Sequence, residues 1–386
     1  MLHKKACPEL DQPETWAQEA AAWTIEQARA IQQIPAPTFA EAGRAVYVAS
    51  EFRALGLEQV DSDRLHNVYG CRPGIDTKAP ALLVTAHTDT IFDAETDLAQ
   101  RLEGDAVYGP GLGDNSMGVA GLLALARWLT VQPTPRVTVW FAATSREEGL
   151  GDLGGMKAVF ARLGATTGAV LNLEGLALGH IYHGGIAVRR LKVSASAGGG
   201  HSWLHYGRPS ALHRLIDLGA ALLELIPPVA PRTTFNIGLI EGGDAINAIA
   251  SQAAFWLDLR SETSTALQRF EERVRAAITE ASDEDARFAI EVVGDRPAGQ
   301  IAVDHPLVHI GVTALAAVGI KAALETGSTD ANVPLAAGCP AITLGVTRGG
   351  NAHRIDEYVE LGPVLPGIQQ LVLALRGALE YLAPVR

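Results

Sequence analysis

Histidine and carboxylate residues of the metal-binding type follow an apolar stretch early in the sequence. Residues 81–90 (ALLVTAHTDT) form an apolar run that reaches His87 and Asp89. Side chains two residues apart on a strand lie on the same face, so a strand here presents both groups together. A metal-binding imidazole usually donates its other ring proton to a carboxylate or carbonyl, which makes Asp89 a candidate partner of His87. For this pair alone, the simpler interpretation is a hydrogen-bonded histidine beside a surface aspartate.

Two further apolar stretches end in acids. Residues 136–145 (RVTVWFAATS) precede Glu147 and Glu148, and a strand predicted over residues 168–172 is followed by Glu174. Two adjacent acids at the end of a buried strand are unfavourable unless positive charge lies between them. Ligands of open α/β sheets collect at the carboxyl ends of strands. Three such strands therefore predict one cation site.

Asp114 and His353 lie in glycine-containing segments and complete the candidate set. Residues 109–118 (GPGLGDNSMG) lead into an apolar helix, and residues 348–357 (RGGNAHRIDE) follow a predicted strand. A glycine-rich loop before a helix can bind phosphate, but no Lys-Ser/Thr pair follows and Asp114 would repel an anion. A helix cap is the ordinary role of such an aspartate. Imidazole and carboxylate without thiolate suit zinc, or cobalt and manganese, in a hydrolytic site.

The elements that must position these residues alternate between helix and strand. A chain of 386 residues predicts two domains. Helices are predicted over residues 13–33 and from just after Thr38 to residue 55, with the strands named above between further helices. Residues 185–297 follow the order strand, helix, strand, strand, helix, strand of a ferredoxin-like unit. We therefore predict an α/β catalytic domain from residues 1–184 and 298–386, with an inserted α+β domain at 185–297.

Composition excludes several classes of function. The formal net charge is −12 and 48% of residues are hydrophobic, which argues against a nucleic acid or an anionic membrane as partner. Cys7, Cys71 and Cys339 have no metal-binding or disulfide spacing. The segment 1–8 lacks an apolar signal core, and no stretch is apolar enough to span a membrane. We expect a soluble cytoplasmic protein.

Taken together, these motifs resemble the M20 family of metallopeptidases and amidohydrolases. The His-x-Asp strand, the Gly-Asp-Asn turn at 113–115, the Glu-Glu pair, the later acid and the distal histidine occur in family order. Further similarity lies at residues 199–202 (GGHS) and 258–260 (DLR). The resemblance covers nearly the whole chain. It implies a zinc-peptidase-like catalytic domain with a central mixed sheet flanked by helices, and it makes the inserted ferredoxin-like domain a lid and dimerisation domain.

The resemblance also implies a role for each site residue. Asp114 would bridge two divalent ions, with zinc expected and cobalt or manganese as alternatives. His87 and Glu174 would complete one ion's ligands, and Glu148 and His353 the other's. Ions bridged in this way share one hydroxide and polarise a carbonyl. Glu147 would be the general base that moves a proton from water to the leaving amine, with Asp89 as a further catalytic residue. The resemblance also implies a cis peptide bond after Asp114.

Residues expected to contact substrate lie further along the chain. By resemblance, His201 would stabilise the developing oxyanion, acting in the partner subunit's site of a homodimer. Asn247 and Arg260 would hold the substrate's polar end, since the guanidinium fork suits a carboxylate. Ser328, within the Gly-Ser-Thr-Asp segment 327–330, lies where the family has pocket residues. Their ordinary roles would be a loop histidine, a surface ion pair and a helix cap.

The leading hypothesis is a two-metal hydrolase that cleaves an amide bond in a small peptide or an N-acyl amino acid. Glu174 resembles the carboxypeptidase and deacylase branches, whereas residues 149–156 and 198–210 resemble peptidase T-like members. An N-acyl amino acid deacylase of the acetylornithine deacetylase type is therefore an alternative. A non-catalytic metal-binding relative and a two-metal phosphoesterase are others, although no basic cluster near the motifs would neutralise a phosphate.

Overall fold

The computed structural model describes residues 13–383. The segment 1–8, with Cys7, in which we expect no signal sequence, lies outside the described residues. Within them the chain divides into two compact units: unit 1 comprises residues 13–185 and 299–383, and unit 2 comprises Ile186–Ala298. None of the helices in residues 13–383 combines the length and apolar character needed to cross a bilayer.

The helices and strands are numbered in chain order. The helices are α1 (Pro13–Gln32), α2 (Ala42–Ala54), α3 (Gly118–Thr130), α4 (Gly154–Leu163), α5 (Ala211–Leu223), α6 (Ser264–Ala281), α7 (Pro306–Ala317), α8 (Asn332–Ala336) and α9 (Val364–Leu382). The strands are β1 (Glu58–Ser62), β2 (Val68–Arg72), β3 (Ala81–His87), β4 (Arg101–Glu103), β5 (Ala106–Tyr108), β6 (Val139–Thr144), β7 (Thr167–Glu174), β8 (His180–Gly185), β9 (Ala187–Ala197), β10 (Gly200–His201), β11 (Thr233–Gly242), β12 (Ala248–Ile249), β13 (Gln252–Ser261), β14 (Ala286–Arg296), β15 (Gly299–Gln300), β16 (Ala323–Gly327), β17 (Ala341–Gly345), β18 (Gly349–Gly350) and β19 (Tyr358–Glu360).

Unit 1 is built on a mixed sheet with the order β1-β2-β6-β3-β7-β17-β8-β15, and β16 pairs with β8. Its centre is parallel, since β3 runs parallel to both β6 and β7, and β17 runs parallel to β7. All seven residues of β3 are buried. A parallel strand covered on both faces needs a continuous apolar run, which is the pattern of residues 81–87.

Helices cover both faces of this sheet. On one face α1, α3 and α9 contribute to a large apolar core with the central strands. α3 is buried from Gly118 through Ala126, as expected for a helix that is apolar nearly all round. A smaller core holds Met156 and Val159 of α4 against the other face. The expected α/β fold, with a central mixed sheet flanked by helices, is thereby confirmed.

Unit 2 contains a four-stranded antiparallel sheet with the order β11-β13-β9-β14. The helices α5 and α6 pack with these strands around a separate apolar core. The order strand, helix, strand, strand, helix, strand is that of the ferredoxin-like motif. Its expected roles as lid and dimerisation domain stay predictions.

Several elements differ from the sequence-based expectation. The second helix begins at Ala42 rather than after Thr38, and α4 and β8 were not predicted. Arg101–Glu103 is a strand of a small antiparallel sheet with the order β18-β19-β5-β4. Strands of two or three residues are too short to show an alternating pattern, so the sequence carries little signal for this sheet.

Candidate metal centre

The parallel strands bring three of the predicted site residues to one edge of the sheet. His87 is the last residue of β3 and Glu174 the last residue of β7, while Glu148 follows the end of β6 by four residues. In the register, His87 is opposite Thr144 of β6. Because β6, β3 and β7 are parallel neighbours, their carboxyl ends meet at this edge.

Asp114 reaches the same edge from the irregular turn Leu112–Met117 that precedes α3. The peptide bond between Asp114 and Asn115 is cis, as the resemblance implies. The turn lies directly against the end of β7, because a Cβ on Gly175 would be 2.1 Å from the carbonyl oxygen of Gly113. Glycine at this position therefore permits the close approach of Asp114 to Glu174.

The Asp114 carboxylate lies between two imidazoles. His87 Nε2 is 3.0 Å from Asp114 Oδ1, and His353 Nε2 is 3.0 Å from Asp114 Oδ2. A glutamate accompanies each imidazole: Glu174 Oε2 is 3.5 Å from His87 Nε2, and Glu148 Oε1 is 3.0 Å from His353 Nε2. The structure thus brings together two sets of candidate ligands. Each set has one histidine and one glutamate, and Asp114 belongs to both.

These spacings fit two metal ions. Zinc binds imidazole nitrogen and carboxylate oxygen at about 2.0–2.2 Å, so two ligands of one tetrahedral ion lie about 3.3–3.6 Å apart. The pair at 3.5 Å falls in that range, and the three pairs at 3.0 Å are about 0.3 Å closer than its lower end. Ligand atoms of His87, Asp114 and Glu148 all lie within 4.8 Å of one another. Nitrogen and oxygen donors without thiolate suit an exchangeable hydrolytic centre.

The acids around both histidines favour positive charge at these positions. Burial lowers the pKa of His87, but the charge of Glu174 and the hydrogen bond to Asp114 outweigh it and raise the pKa well above its usual value. Hydrogen bonds to Asp114 and Glu148 raise the pKa of the half-exposed His353 to about 10. The carboxylates therefore supply the negative field that a pair of cations requires.

The carboxyl groups respond in opposite directions. Burial, together with the charges of Glu147 and Asp114, raises the pKa of Glu148 to about 7. Burial likewise raises the pKa of Glu174. Burial also acts on Asp114, but its two imidazole partners hold the pKa of that carboxyl below its usual value. Of the three, Asp114 is therefore the carboxyl whose ionised form is stabilised by its contacts, which suits the shared position.

Asp89 holds the backbone that carries the Glu-Glu pair. Its Oδ1 accepts from the amide of Glu147 at 2.9 Å and its Oδ2 from the amide of Glu148 at 3.0 Å. Thr38 donates to Oδ2 at 2.9 Å. His87 Nδ1 lies 3.1 Å from the Asp89 carbonyl oxygen and 3.5 Å from Oδ1. The backbone carbonyl is thus the nearer partner of the ring, and the carboxylate chiefly fixes the loop after β6.

Two buried acids near the centre were not assigned a role from the sequence. Asp330 is fully buried, and its Oδ2 accepts from Thr144 Oγ1 at 2.5 Å. Burial and the charge of Glu147 raise the pKa of Asp330 to about 8. Glu357 is also fully buried and contacts the Asp114 turn. Both acids lie in segments where the sequence analysis selects a different residue, Ser328 or His353. A single acid in a polar loop is ordinarily interpreted as an exposed surface residue.

The remaining predicted residues are placed as follows. Ser328 lies between β16 and α8 of unit 1. In unit 2, His201 is exposed at the end of β10, and its Nδ1 accepts from the amides of Trp203 and Leu204 at 3.2 and 3.4 Å. Asn247 accepts from the Ser202 amide at 3.0 Å through its carbonyl oxygen. Arg260 Nε donates to Asp258 Oδ1 at 2.8 Å. The substrate contacts expected of these residues stay predictions.

Comparison with known proteins decides the family. A family model described as Peptidase family M20/M25/M40 matches residues 83–377. The chain belongs to this family. The M20 resemblance drawn from the motifs is therefore confirmed, and with it the class of metal-dependent hydrolases to which the M20 peptidases belong.

Solved M20-type structures share the fold over nearly the whole chain. Aminopeptidase PepT from Bacillus cereus ATCC 10987 superposes with a TM-score of 0.74 at 20% identity, covering 92% of this chain and 98% of that one. The Bacillus subtilis YXEP protein, described as a dinuclear metal binding peptidase from the M20 family, has a TM-score of 0.68 at 16% identity, covering 95% of this chain and 99% of that one.

A relative found by sequence covers a shorter part of the chain. Acetylornithine deacetylase of Proteus mirabilis (strain HI4320) is 27% identical over 140 residues, which is 36% of this chain and 35% of that protein.

Proposed function

We propose that this M20 family member cleaves an amide bond in small peptides or N-acyl amino acids, using two divalent ions, with zinc as the expected metal. The observation that carries this proposal is the Asp114 carboxylate, which has an imidazole 3.0 Å from each of its oxygens and a glutamate beside each imidazole. A pair of ions bound there would polarise the scissile carbonyl and lower the pKa of the attacking water.

The chain's own residues then supply orientation and proton transfer. The carbonyl oxygen of Asp89 lies 3.1 Å from His87 Nδ1. The other ring nitrogen, Nε2, is therefore directed at Asp114. Glu147 is buried at the end of β6, with its amide held by Asp89. We assign it the general-base role, accepting a proton from water and passing it to the leaving amine.

The names of the similar proteins support amide-bond hydrolysis, although the activities that they name differ. PepT is described as an aminopeptidase, the YXEP protein as a dinuclear metal binding peptidase, and the Proteus mirabilis relative as an acetylornithine deacetylase. All three names concern hydrolysis of an amide bond. His201, Asn247, Arg260 and Ser328 are the proposed substrate contacts, and Arg260 already engages a carboxylate, that of Asp258, through Nε and one terminal nitrogen.

The decisive experiment is a substrate screen on purified full-length protein that is first stripped of metal by a chelator and then loaded with zinc, cobalt or manganese. We expect hydrolysis of dipeptides, tripeptides or N-acetyl amino acids in the loaded protein and loss of that activity on chelation. Mass detection of products separates aminopeptidase, carboxypeptidase and deacylase activity. Two bound ions without hydrolysis of any amide would contradict the proposal in favour of a binding protein, and release of phosphate from simple esters would favour a phosphoesterase.

We also propose that the enzyme is a homodimer formed through unit 2, in the cytoplasm. Within the described residues β11 is an edge strand of its sheet, and Leu239 and Ile240 on it are exposed. The helix α5, which packs against this strand, exposes Ile216 and Leu223. An apolar, unpaired edge strand favours pairing with another chain.

Light scattering coupled to gel filtration tests the dimer. We expect the mass of two chains for the wild type and of one chain for the double variant Leu239→Lys/Ile240→Lys, because charge on an edge strand opposes pairing. Val46→Lys is the matched control, since Val46 is an exposed apolar residue on α2 of unit 1. A wild type that elutes as a monomer at assay concentration would overturn this proposal.

A further inference from the structure

The loop that carries His353 has little burial of its own. Residues 351–355 are exposed, and Asn351 and His353 both have positive φ, at 58° and 68°. The small sheet holds the loop at its start, through Gly349 and Gly350 paired with β19. The His353 ring itself is half-exposed. Hydrogen bonds within the loop join Asn351 and Arg354 to Asp356, and a contact just beyond them joins the loop to the Asp114 turn.

That contact is made by Glu357, four residues after His353. Its Oε1 accepts hydrogen bonds from the amides of Gly113 at 2.5 Å and Asp114 at 2.9 Å. Its own carbonyl oxygen accepts from the Gly109 amide at 2.8 Å. The side chain of Glu357 thus binds the turn that carries the shared carboxylate, and its backbone binds Gly109 in the segment just before that turn.

Opposing influences act on the Glu357 carboxyl. Burial raises its pKa to about 7, while the hydrogen bonds from the turn amides, led by that of Asp114, favour the ionised form. Arg44 is fully buried as well, and the charge of Glu357 opposes the fall that burial causes in the pKa of Arg44. Hydrogen bonds from amides to an ionised carboxylate are about twice as strong as those between neutral groups. The two turn amides thus share one oxygen of the Glu357 carboxyl as their acceptor, at 2.5 and 2.9 Å.

We propose that Glu357 is a positioning residue that sets the affinity of the ion held by Asp114, Glu148 and His353, and that it affects this ion more strongly than the ion at His87 and Glu174. The inference rests on the proposed two-metal function. Glu357 ties the two loops that supply Asp114 and His353, whereas His87 and Glu174 are held by the central strands β3 and β7. Loss of the tie should therefore loosen one ion far more than the other.

The test is a titration of metal-free full-length protein with Co²⁺, followed by calorimetry and by the visible absorption of the bound ion. For the wild type we expect two binding events. Removing a group behind the ligands typically costs 10–100-fold in metal affinity. We expect Glu357→Gln to weaken one event by about 10-fold and Glu357→Ala by about 100-fold, with a smaller loss at the other event, which shares Asp114. Glu360→Gln is the matched control, because Glu360 lies three residues away on β19.

The melting temperature of the metal-free variants separates positioning from general stability. Unchanged affinities for both ions in Glu357→Gln and Glu357→Ala would overturn the inference. Equal weakening of both events with a lowered melting temperature would also overturn it, because a merely structural role has that signature. If the wild type itself binds no Co²⁺, the proposed two-metal function fails, whereas two wild-type ions with unaffected variants count against the role of Glu357 alone.

Discussion

Glu147→Gln is expected to lower kcat for amide hydrolysis by about 10²–10⁴-fold, the usual contribution of a general base, while two ions remain bound. Asp89 can still hold the backbone amide at this position in the variant, since the contact at 2.9 Å does not depend on the side chain. The neutral side chain cannot accept a proton from water. Steady-state kinetics and metal analysis of the same sample measure both parts of the expectation.

Two control variants distinguish loss of the general base from other effects of replacing a glutamate. Glu95→Gln makes the same change at an exposed glutamate and should leave kcat unchanged. Glu148→Gln should instead lower metal content, because Glu148 Oε1 is 3.0 Å from His353 Nε2 in the ligand set. A Glu147→Gln enzyme that retains wild-type kcat would remove Glu147 from the proton-transfer role.

Asp114→Ala is expected to abolish measurable hydrolysis and to reduce metal content below one ion for each chain. Each proposed ion loses a ligand at once, because the two oxygens of Asp114 face different imidazoles. We expect affinity for both ions to fall by more than about 100-fold, beyond the effect of groups that act only through a ligand. Metal analysis after dialysis and calorimetric titration measure the loss.

The control for Asp114→Ala is Asp304→Asn, a change at an exposed aspartate. That control should keep both ions and full activity. Retention of one tightly bound ion in Asp114→Ala would show that the two positions do not share this carboxylate. Circular dichroism of the metal-free variant confirms that the fold has been kept.

The part of the centre that could be predicted from the sequence is the part delivered by buried strands. His87 and Glu174 each end a long apolar run, and a parallel strand covered on both faces requires such a run. The geometry of the sheet alone brings their side chains to one edge. Glu148 follows the same logic, since only cations make two adjacent acids tolerable after a buried strand.

Asp114 and His353 could be assigned only by resemblance, and the groups behind them not at all. Asp114 lies in a turn and His353 in an exposed loop, so neither has a periodic pattern that would point to the centre. Glu357 is 244 residues from Gly113, whose amide it binds, and such a distant pairing leaves no local signal. Asp330 is hidden for the same reason, 186 residues from Thr144.

The Asp114 carboxylate, which faces two imidazoles, would also couple the binding of one metal ion to the binding of the other. Because Asp114 offers one oxygen to each imidazole, an ion bound at either position would orient the carboxylate for the other position and would also place a like charge near it. By thermodynamic linkage, the factor by which the first ion changes the affinity of the second is the same whichever position fills first. Two ions bound as proposed would therefore be energetically coupled, and the ratio of the two stepwise affinities would report whether preorganisation or mutual repulsion prevails.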